Sequence, residues 1–207
     1  MNNYLLFDMD GTLWSTVELT QEASKIISEK YDYFNEVKKE VVISCMGKPF
    51  MEVAHEYMPY LNDETAALLL NELSVECRKL IEQKGGVLYP DVKETLLLLK
   101  KHFKLGIVTN NNDDYVKTFI KTTGLDIFDA YIGASSYGIT KGEAIKKIIT
   151  DNKIDKCIFV GDTKYDQEAA KENNIPFVYA KYGFGKFDKN PTYFINEFKD
   201  LTHFLVK

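Results

Sequence analysis

The chain begins with a run of apolar residues that leads directly into two acids. Residues 4–7 read Tyr-Leu-Leu-Phe without polar alternation, and Asp8, Asp10, Gly11 and Thr12 follow closely. Such a run is typical of a strand buried on both faces, as in a parallel sheet. Because side chains at i and i+2 of an extended segment point the same way, we expect Asp8 and Asp10 to project together. Two carboxylates at the edge of a core are tolerable only if a cation or hydrogen-bond donors compensate them.

Beyond this strand the apolar spacing becomes helical and remains so to about residue 84. The predicted helices run from Val17 to Tyr31, Val37 to Met46, Phe50 to Tyr57 and Asn62 to Gln83. Gly85-Gly86 ends the last helix. We therefore expect an α-helical subdomain, residues 15–85, inserted into a core that is formed by residues 1–14 and 86–207.

From Val87 onward, helices alternate with short apolar runs. Predicted helices span 91–102, 113–123, 140–152 and 164–173, and the apolar runs that follow them span 105–108, 130–132, 157–160 and 177–179. A short extended piece and a closing helix are expected within 193–206. Alternation of this kind indicates βαβ units, so the fold class is α/β with a parallel sheet.

Polar residues follow several of these predicted strands. Thr109-Asn110 ends the second strand of the core, and Asp162 ends the strand near Cys157, with Asp166 four residues on. Lys141 lies at the start of a helix. Each has an ordinary alternative. Asp162, Thr163 with Asp166, and Thr140 with Glu143 also fit helix caps, and residues 110–113 could be only a polar loop. Ligands bind beyond the carboxyl ends of parallel strands, however, and these residues all fall on that rim.

A phosphoryl-transfer site explains the whole set. Carboxylate oxygens of Asp8 and Asp162 suit Mg²⁺, and the metal would let an anionic phosphate approach Asp8. The Thr109 hydroxyl and the Lys141 ammonium could then hold phosphate oxygens. Lys141 at a helix start adds its charge to free backbone N–H groups, which also favour an anion.

Composition limits the partners and the compartment. The 207 residues carry a formal net charge of −5, which argues against nucleic-acid binding. No apolar run approaches the ~18 residues of a membrane span, and no secretory signal is evident. Three widely spaced cysteines, Cys45, Cys77 and Cys157, are expected to be buried free thiols. We expect a cytoplasmic protein without membrane partners; its oligomeric state stays open, with a monomer as the default.

Four motifs, in this order and at these separations, resemble the haloacid dehalogenase superfamily, in its phosphatase branch. They are Asp8-Met9-Asp10-Gly11-Thr12, Thr109-Asn110, Lys141 and Gly161-Asp162-Thr163-Lys164-Tyr165-Asp166. The resemblance implies a Rossmann-like core with an α-helical cap of the C1 type inserted after the first strand. Within that branch the chain resembles phosphoglycolate-phosphatase-like members, but Gly142 in place of the proline common there weakens the specific phosphoglycolate assignment.

The resemblance also implies roles for these residues. Asp8 would be the nucleophile that forms an aspartyl-phosphate, and Asp10 the general acid and base, its backbone carbonyl also binding Mg²⁺. Gly11, Thr109, Asn110 and Lys141 would contact the phosphoryl group. Asp162 would bind the metal directly. Asp166 would orient Lys141 or a metal-bound water, and direct binding of the metal by Asp166 stays open. Lys48 falls where such caps carry a specificity loop, and the alternative is an ordinary surface lysine.

An acid at position 10 favours phosphate-ester hydrolysis, since the dehalogenases of the superfamily lack it. The expected substrate is a small phosphorylated metabolite. A β-phosphoglucomutase-like phosphotransferase or an inorganic pyrophosphatase are alternatives within the family. A phospho-receiver module or a non-catalytic binding protein are alternatives of another class. Receiver modules are shorter, and the aspartate that becomes phosphorylated lies on a later strand.

Overall fold

The structure is a computed structural model that describes residues 2–187 and 191–206. The outermost limits predicted for the core, residues 1 and 207, lie outside the described residues. The chain divides into two compact units. One contains the residues up to Ser15 together with those from Val87 onward, and the other contains Thr16–Gly86.

The strands and helices follow the predicted alternation. The strands are β1 (Asn3–Phe7), β2 (Trp14–Ser15), β3 (Val87–Leu88), β4 (Lys104–Thr109), β5 (Ala130–Gly133), β6 (Lys156–Gly161), β7 (Phe177–Ala180) and β8 (Phe194–Ile195). The helices are α1 (Val17–Lys30), α2 (Lys39–Cys45), α3 (Phe50–Tyr57), α4 (Asp63–Lys84), α5 (Val92–Leu99), α6 (Asp113–Thr123), α7 (Lys141–Asp151), α8 (Lys164–Glu172) and α9 (Asp200–Leu205). A short 3-10 helix, Ala134–Ser136, follows β5.

Six of the described strands form one parallel sheet in the order β5-β4-β1-β6-β7-β8. The opening strand β1 lies between β4 and β6, and its residues Leu5, Leu6 and Phe7 are fully buried. The uninterrupted apolar run therefore marks a strand that is covered on both faces. The predicted α/β Rossmann-like fold is confirmed.

A second, two-stranded sheet was not predicted. The strands β2 and β3 pair antiparallel, with Trp14 opposite Leu88 and Ser15 opposite Val87. The helical unit is inserted between these two strands. Strands of two residues carry no periodic signal, which explains why the sequence pattern did not reveal them.

The helical unit consists of α1 to α4. Asn62 caps α4 by accepting a hydrogen bond from the backbone N–H of Thr65, and Gly85 ends it with a positive φ of 73°. These two residues are the start and stop signals that the sequence offered. Along residues 2–187 and 191–206, no helix has the length and apolar character required to cross a membrane.

Candidate active site

The central strands end side by side and bring the predicted site residues to one rim. Phe7 of β1 is level with Ile107 of β4 and with Val160 of β6. Asp8 follows Phe7 directly, and Thr109 and Asp162 each lie two residues beyond the partners of Phe7. All three side chains therefore come from the carboxyl edge of the sheet, at the point where the strand order reverses around β1.

Four buried charged groups meet at this rim. Oxygens of Asp8, Asp162 and Asp166 all lie within 4.8 Å of one another. The Lys141 Nζ donates to Asp8 Oδ1 at 2.8 Å and to Asp166 Oδ1 at 2.6 Å. The exposed fraction of each of these residues is 5% or less. One ammonium thus faces three carboxylates, which leaves a formal charge of −2 when all four groups are ionised.

Burial sets the proton affinities of this cluster. It raises the pKa of the Asp8 carboxyl well above its usual range; Lys141 opposes this shift, and the Asp166 and Asp162 carboxylates add to it. Burial, with Asp166 adding, raises the pKa of Asp162 to about 7. Burial alone would lower the pKa of the Lys141 ammonium, but Asp166 and Asp8 outweigh it and raise that pKa above its ordinary value. Lys141 is therefore cationic, whereas Asp8 and Asp162 bind protons more tightly than ordinary carboxylates unless a further cation offsets their charge.

The Asp162 carboxylate is fixed by its surroundings. Its Oδ2 accepts hydrogen bonds from the backbone N–H of Phe184 at 2.7 Å and of Gly185 at 3.4 Å. The Thr12 hydroxyl donates to Oδ1 at 3.3 Å. A methyl group at Gly11, whose φ is +90°, would collide with this same carboxylate. Glycine is therefore required at position 11 both by its backbone conformation and by the space that Asp162 occupies.

Helix capping and site chemistry coexist at α8. The Asp166 Oδ2 accepts from the Thr163 backbone N–H at 2.9 Å, and the Thr163 Oγ1 accepts from the Asp166 backbone N–H at 3.3 Å, so a capping box is present. The Thr163 hydroxyl also donates to Asp166 Oδ2 at 2.7 Å. The other oxygen of Asp166 accepts from Lys141. Thr140 and Glu143 form a second capping box at the start of α7, which begins with Lys141. The two predicted capping boxes are thus present, and they also fix Lys141 and Asp166 in place. The cap of α8 is Thr163, so the prediction that Asp162 caps this helix is wrong.

Asp10 has hydrogen-bond donors that the sequence did not suggest. The Tyr115 hydroxyl donates to Asp10 Oδ1 at 2.7 Å, and the Asn111 amide donates to Oδ2 at 3.2 Å. Asn111 directly follows the Thr109-Asn110 motif, and Tyr115 lies in the first turn of α6. A tyrosine at helical spacing resembles a core residue. The only sequence signal for Tyr115 was its place in the first turn of a helix that begins after Asn112, close to the rim.

Of the remaining predicted residues, Thr109 and Asn110 belong to the rim of the sheet and Lys48 belongs to the helical unit. Thr109 is buried on the rim, where its Oγ1 accepts the backbone N–H of Asn111 at 3.2 Å, and Asn110 is next to it in the chain. Lys48 belongs to the helical unit, where its Nζ donates to Glu56 at 3.0 Å. The structure thus gives Lys48 a local partner.

The buried acids fit a divalent cation of the Mg²⁺ type. Mg²⁺ in proteins takes one or two carboxylate ligands and keeps waters or substrate phosphates for its other positions. The net charge of the cluster has the sign and size that such an ion offsets. Carboxylate pKa values that burial raises indicate charge that is not fully compensated by the protein alone.

This chain is similar to known hydrolases and phosphatases. A family model described as haloacid dehalogenase-like hydrolase matches residues 5–180. A pyrophosphatase PpaX of Listeria monocytogenes is 28% identical over 172 residues, which cover 81% of this chain and 77% of that protein. A phosphoglycolate phosphatase of Mannheimia succiniciproducens is 25% identical, with 94% of each chain covered. The crystal structure of a predicted phosphatase from Clostridium acetobutylicum has a TM-score of 0.82 at 27% identity, covering 99% of this chain and 98% of that one.

Proposed function

The chain belongs to the haloacid dehalogenase-like hydrolases and is a phosphatase of that family. From this premise we propose that it hydrolyses small phosphorylated metabolites, that it depends on Mg²⁺, and that it works through an aspartyl-phosphate on Asp8. The observation that carries the proposal is the buried cluster at the rim. Asp8, Asp162 and Asp166 converge there with Lys141 at the carboxyl ends of β1 and β6.

Asp8 and Asp10 divide the reaction between them. An oxygen of Asp8 attacks phosphorus, the bond to the leaving oxygen breaks with its electron pair, and a proton from Asp10 passes to that oxygen to release the alcohol. Water then attacks the aspartyl-phosphate and gives a proton to Asp10. The bond between Asp8 and phosphorus breaks, which frees phosphate and restores both carboxyl groups.

The phosphoryl group carries negative charge throughout, and the rim offers donors for it. Lys141, Thr109 and Asn110 are proposed to bind its oxygens, and Gly11, in the turn that follows Asp10, is proposed to contact the same group. Asp166 contributes indirectly, because one of its oxygens accepts a hydrogen bond from Lys141 and the other accepts one from Thr163 at the start of α8. We propose that Asp166 positions the ammonium.

Asp8, Asp162 and the backbone carbonyl of Asp10 are the proposed holders of Mg²⁺. When bound, the metal supplies positive charge that offsets the acids and the phosphate. We also propose that residues 16–86 act as the family's α-helical cap and select the substrate. Lys48 remains a prediction for such selection.

Two relatives suggest where to look for the substrate, since one is named a pyrophosphatase and the other a phosphoglycolate phosphatase. The second candidate function is therefore hydrolysis of pyrophosphate. Both compounds carry a second anionic group beside the transferred phosphate. A panel that contains phosphoglycolate, pyrophosphate, nucleotides and sugar phosphates separates these candidates by kcat/KM.

The function itself is tested with p-nitrophenyl phosphate. Purified wild type is expected to release phosphate with Mg²⁺ and not with a chelator, and Asp8→Asn is expected to lose turnover. Undiminished turnover by Asp8→Asn would contradict the mechanism. An inactive wild type, with every panel compound, would favour the non-catalytic alternative.

A further inference from the structure

The two oxygens of the Asp10 carboxylate are held in unequal ways. Oδ1 accepts the 2.7 Å hydrogen bond from Tyr115, a side chain that is 8% exposed. Oδ2 accepts from Asn111 at 3.2 Å, and Asn111 is exposed to solvent. A short bond from a buried hydroxyl to a carboxylate is the stronger of the two, because it is charge-assisted and little exposed to competing water. Oδ1 is therefore the anchored oxygen.

Tyr115 is itself fixed by its helix and by its neighbours. Asn112 caps α6 and accepts the backbone N–H of Tyr115 at 2.9 Å. The Tyr115 ring packs edge-on against the fully buried Trp14, with ring centroids 5.6 Å apart. Trp14 in turn packs against Phe119, one turn further along α6. The hydroxyl thus reaches Asp10 from a side chain with little freedom to move.

We propose that Tyr115 is a positioning residue for proton transfer by Asp10, an inference that rests on the proposed function. Tyr115 holds Oδ1, so that Oδ2 is the oxygen that carries the proton. In the first half-reaction the proton on Oδ2 passes to the leaving oxygen as its bond to phosphorus breaks. In the second, Oδ2 accepts a proton from the attacking water as the bond between phosphorus and Asp8 breaks. Asn111 holds the same oxygen between these steps.

A purely structural role for Tyr115 gives a different expectation. A buried tyrosine hydroxyl needs an acceptor, and Asp10 satisfies that need whatever the chemistry. Loss of a structural bond would then lower activity equally for all substrates. Loss of a positioning bond lowers it most where the leaving group depends on protonation, since general acid catalysis matters little for a leaving group that departs readily as an anion.

The test compares phenyl phosphate with p-nitrophenyl phosphate, which differ in leaving-group ability and little in shape. Their kcat/KM values report the step in which the leaving group departs. Tyr115→Phe is expected to lower kcat/KM for phenyl phosphate by about tenfold, within the about 10²–10⁴-fold that a general acid contributes. For p-nitrophenyl phosphate the expected decrease is less than about twofold.

Tyr137→Phe is the matched control. The Tyr137 hydroxyl donates to Asp113 Oδ2 at 3.1 Å, so this variant also removes a tyrosine–carboxylate bond at the start of α6, without touching Asp10. It is expected to leave both kcat/KM values unchanged. A selective loss in Tyr137→Phe as well would overturn the inference, because disturbance of α6 alone would then suffice.

The double variant Asp10→Asn/Tyr115→Phe completes the design. If Tyr115 acts through Asp10, adding Tyr115→Phe to Asp10→Asn has no further effect on residual p-nitrophenyl phosphate or phenyl phosphate turnover. Equal losses for both substrates, or additive losses in the double variant, would overturn the inference and leave the proposed function intact. A wild type that hydrolyses neither aryl phosphate nor any compound of the substrate panel would instead remove the proposed function.

Discussion

Replacing Lys141 by methionine tests the electrostatic account of the rim. The change keeps a long side chain but removes the only ammonium within hydrogen-bond reach of Asp8 and Asp166 among the described residues. Three buried carboxylates would then face one another with hydrogen-bond donors around Asp162 and Asp166 but without the ammonium. Breaking a buried ion pair on one side typically costs about 3–5 kcal/mol. For a chain of this length each kcal/mol lowers Tm by about 2–4 °C, so we expect Tm to fall by roughly 6–20 °C.

Trp14 provides the assay. It is the single tryptophan of the chain, it is fully buried, and it belongs to the unit that contains the large sheet. Its fluorescence therefore reports unfolding of that unit. The stability deficit of Lys141→Met should be smaller at pH 5 than at pH 8, because the folded state without Lys141 binds protons more tightly than the unfolded state and gains stability as pH falls.

Lys147→Met is the control for this experiment. Lys147 lies on the same helix, α7, and pairs with Asp151 at 2.9 Å, but both side chains are exposed. Exposed pairs of this kind contribute little to stability, so no measurable change in Tm is expected. The reasoning is refuted if Lys141→Met unfolds at the wild-type temperature at pH 8, or if both variants lose the same stability.

Three further predictions concern individual residues. Gly11→Ala should reduce Mg²⁺-dependent turnover by at least about tenfold, because a Cβ at φ +90° meets the Asp162 carboxylate. Normal turnover of this variant with p-nitrophenyl phosphate would disprove the close approach of Asp162 to residue 11. Without metal, the raised pKa of Asp162 means that the folded state holds its proton more tightly than the unfolded one, so stability should fall as pH rises from about 4 to about 7. Thermal scans should show that the Tm of Asp162→Asn falls less steeply with rising pH than the Tm of wild type. An equal dependence of Tm on pH would show that Asp162 is not the group responsible. Cys157, whose pKa burial raises to about 11, should resist a thiol reagent at pH 8 until the protein unfolds; fast labelling of the native protein would contradict this.

The sequence predicted the elements best where their ends carry chemical signals. The limits of α6 agree with the prediction because Asn112 caps its start and Gly124, at φ 69°, ends it. The α5 helix ends at Leu99, earlier than the predicted residue 102. The following residues turn with short-range bonds, His102 N–H to the Leu99 carbonyl among them.

The candidate site was predictable only as far as its motifs. The positions of Asp8, Thr109 and Asp162 follow from strand ends, which meet at one edge in any parallel sheet. Tyr115 and the backbone donors of Phe184 and Gly185 could not be found this way. Their contribution depends on which direction a helix or a loop after β7 takes across the rim, and that is set by tertiary packing.

The most direct test of the account is to look for phosphate on Asp8 during turnover. Wild type with Mg²⁺ and p-nitrophenyl phosphate would be quenched in acid within the first turnover, digested, and mapped by mass spectrometry. We predict a hydroxylamine-labile acyl phosphate on the peptide that contains Asp8, absent when a chelator is present and absent from Asp8→Asn. Turnover with phosphate on another residue, or with no phosphate on the enzyme at any time within that turnover, would contradict the central claim.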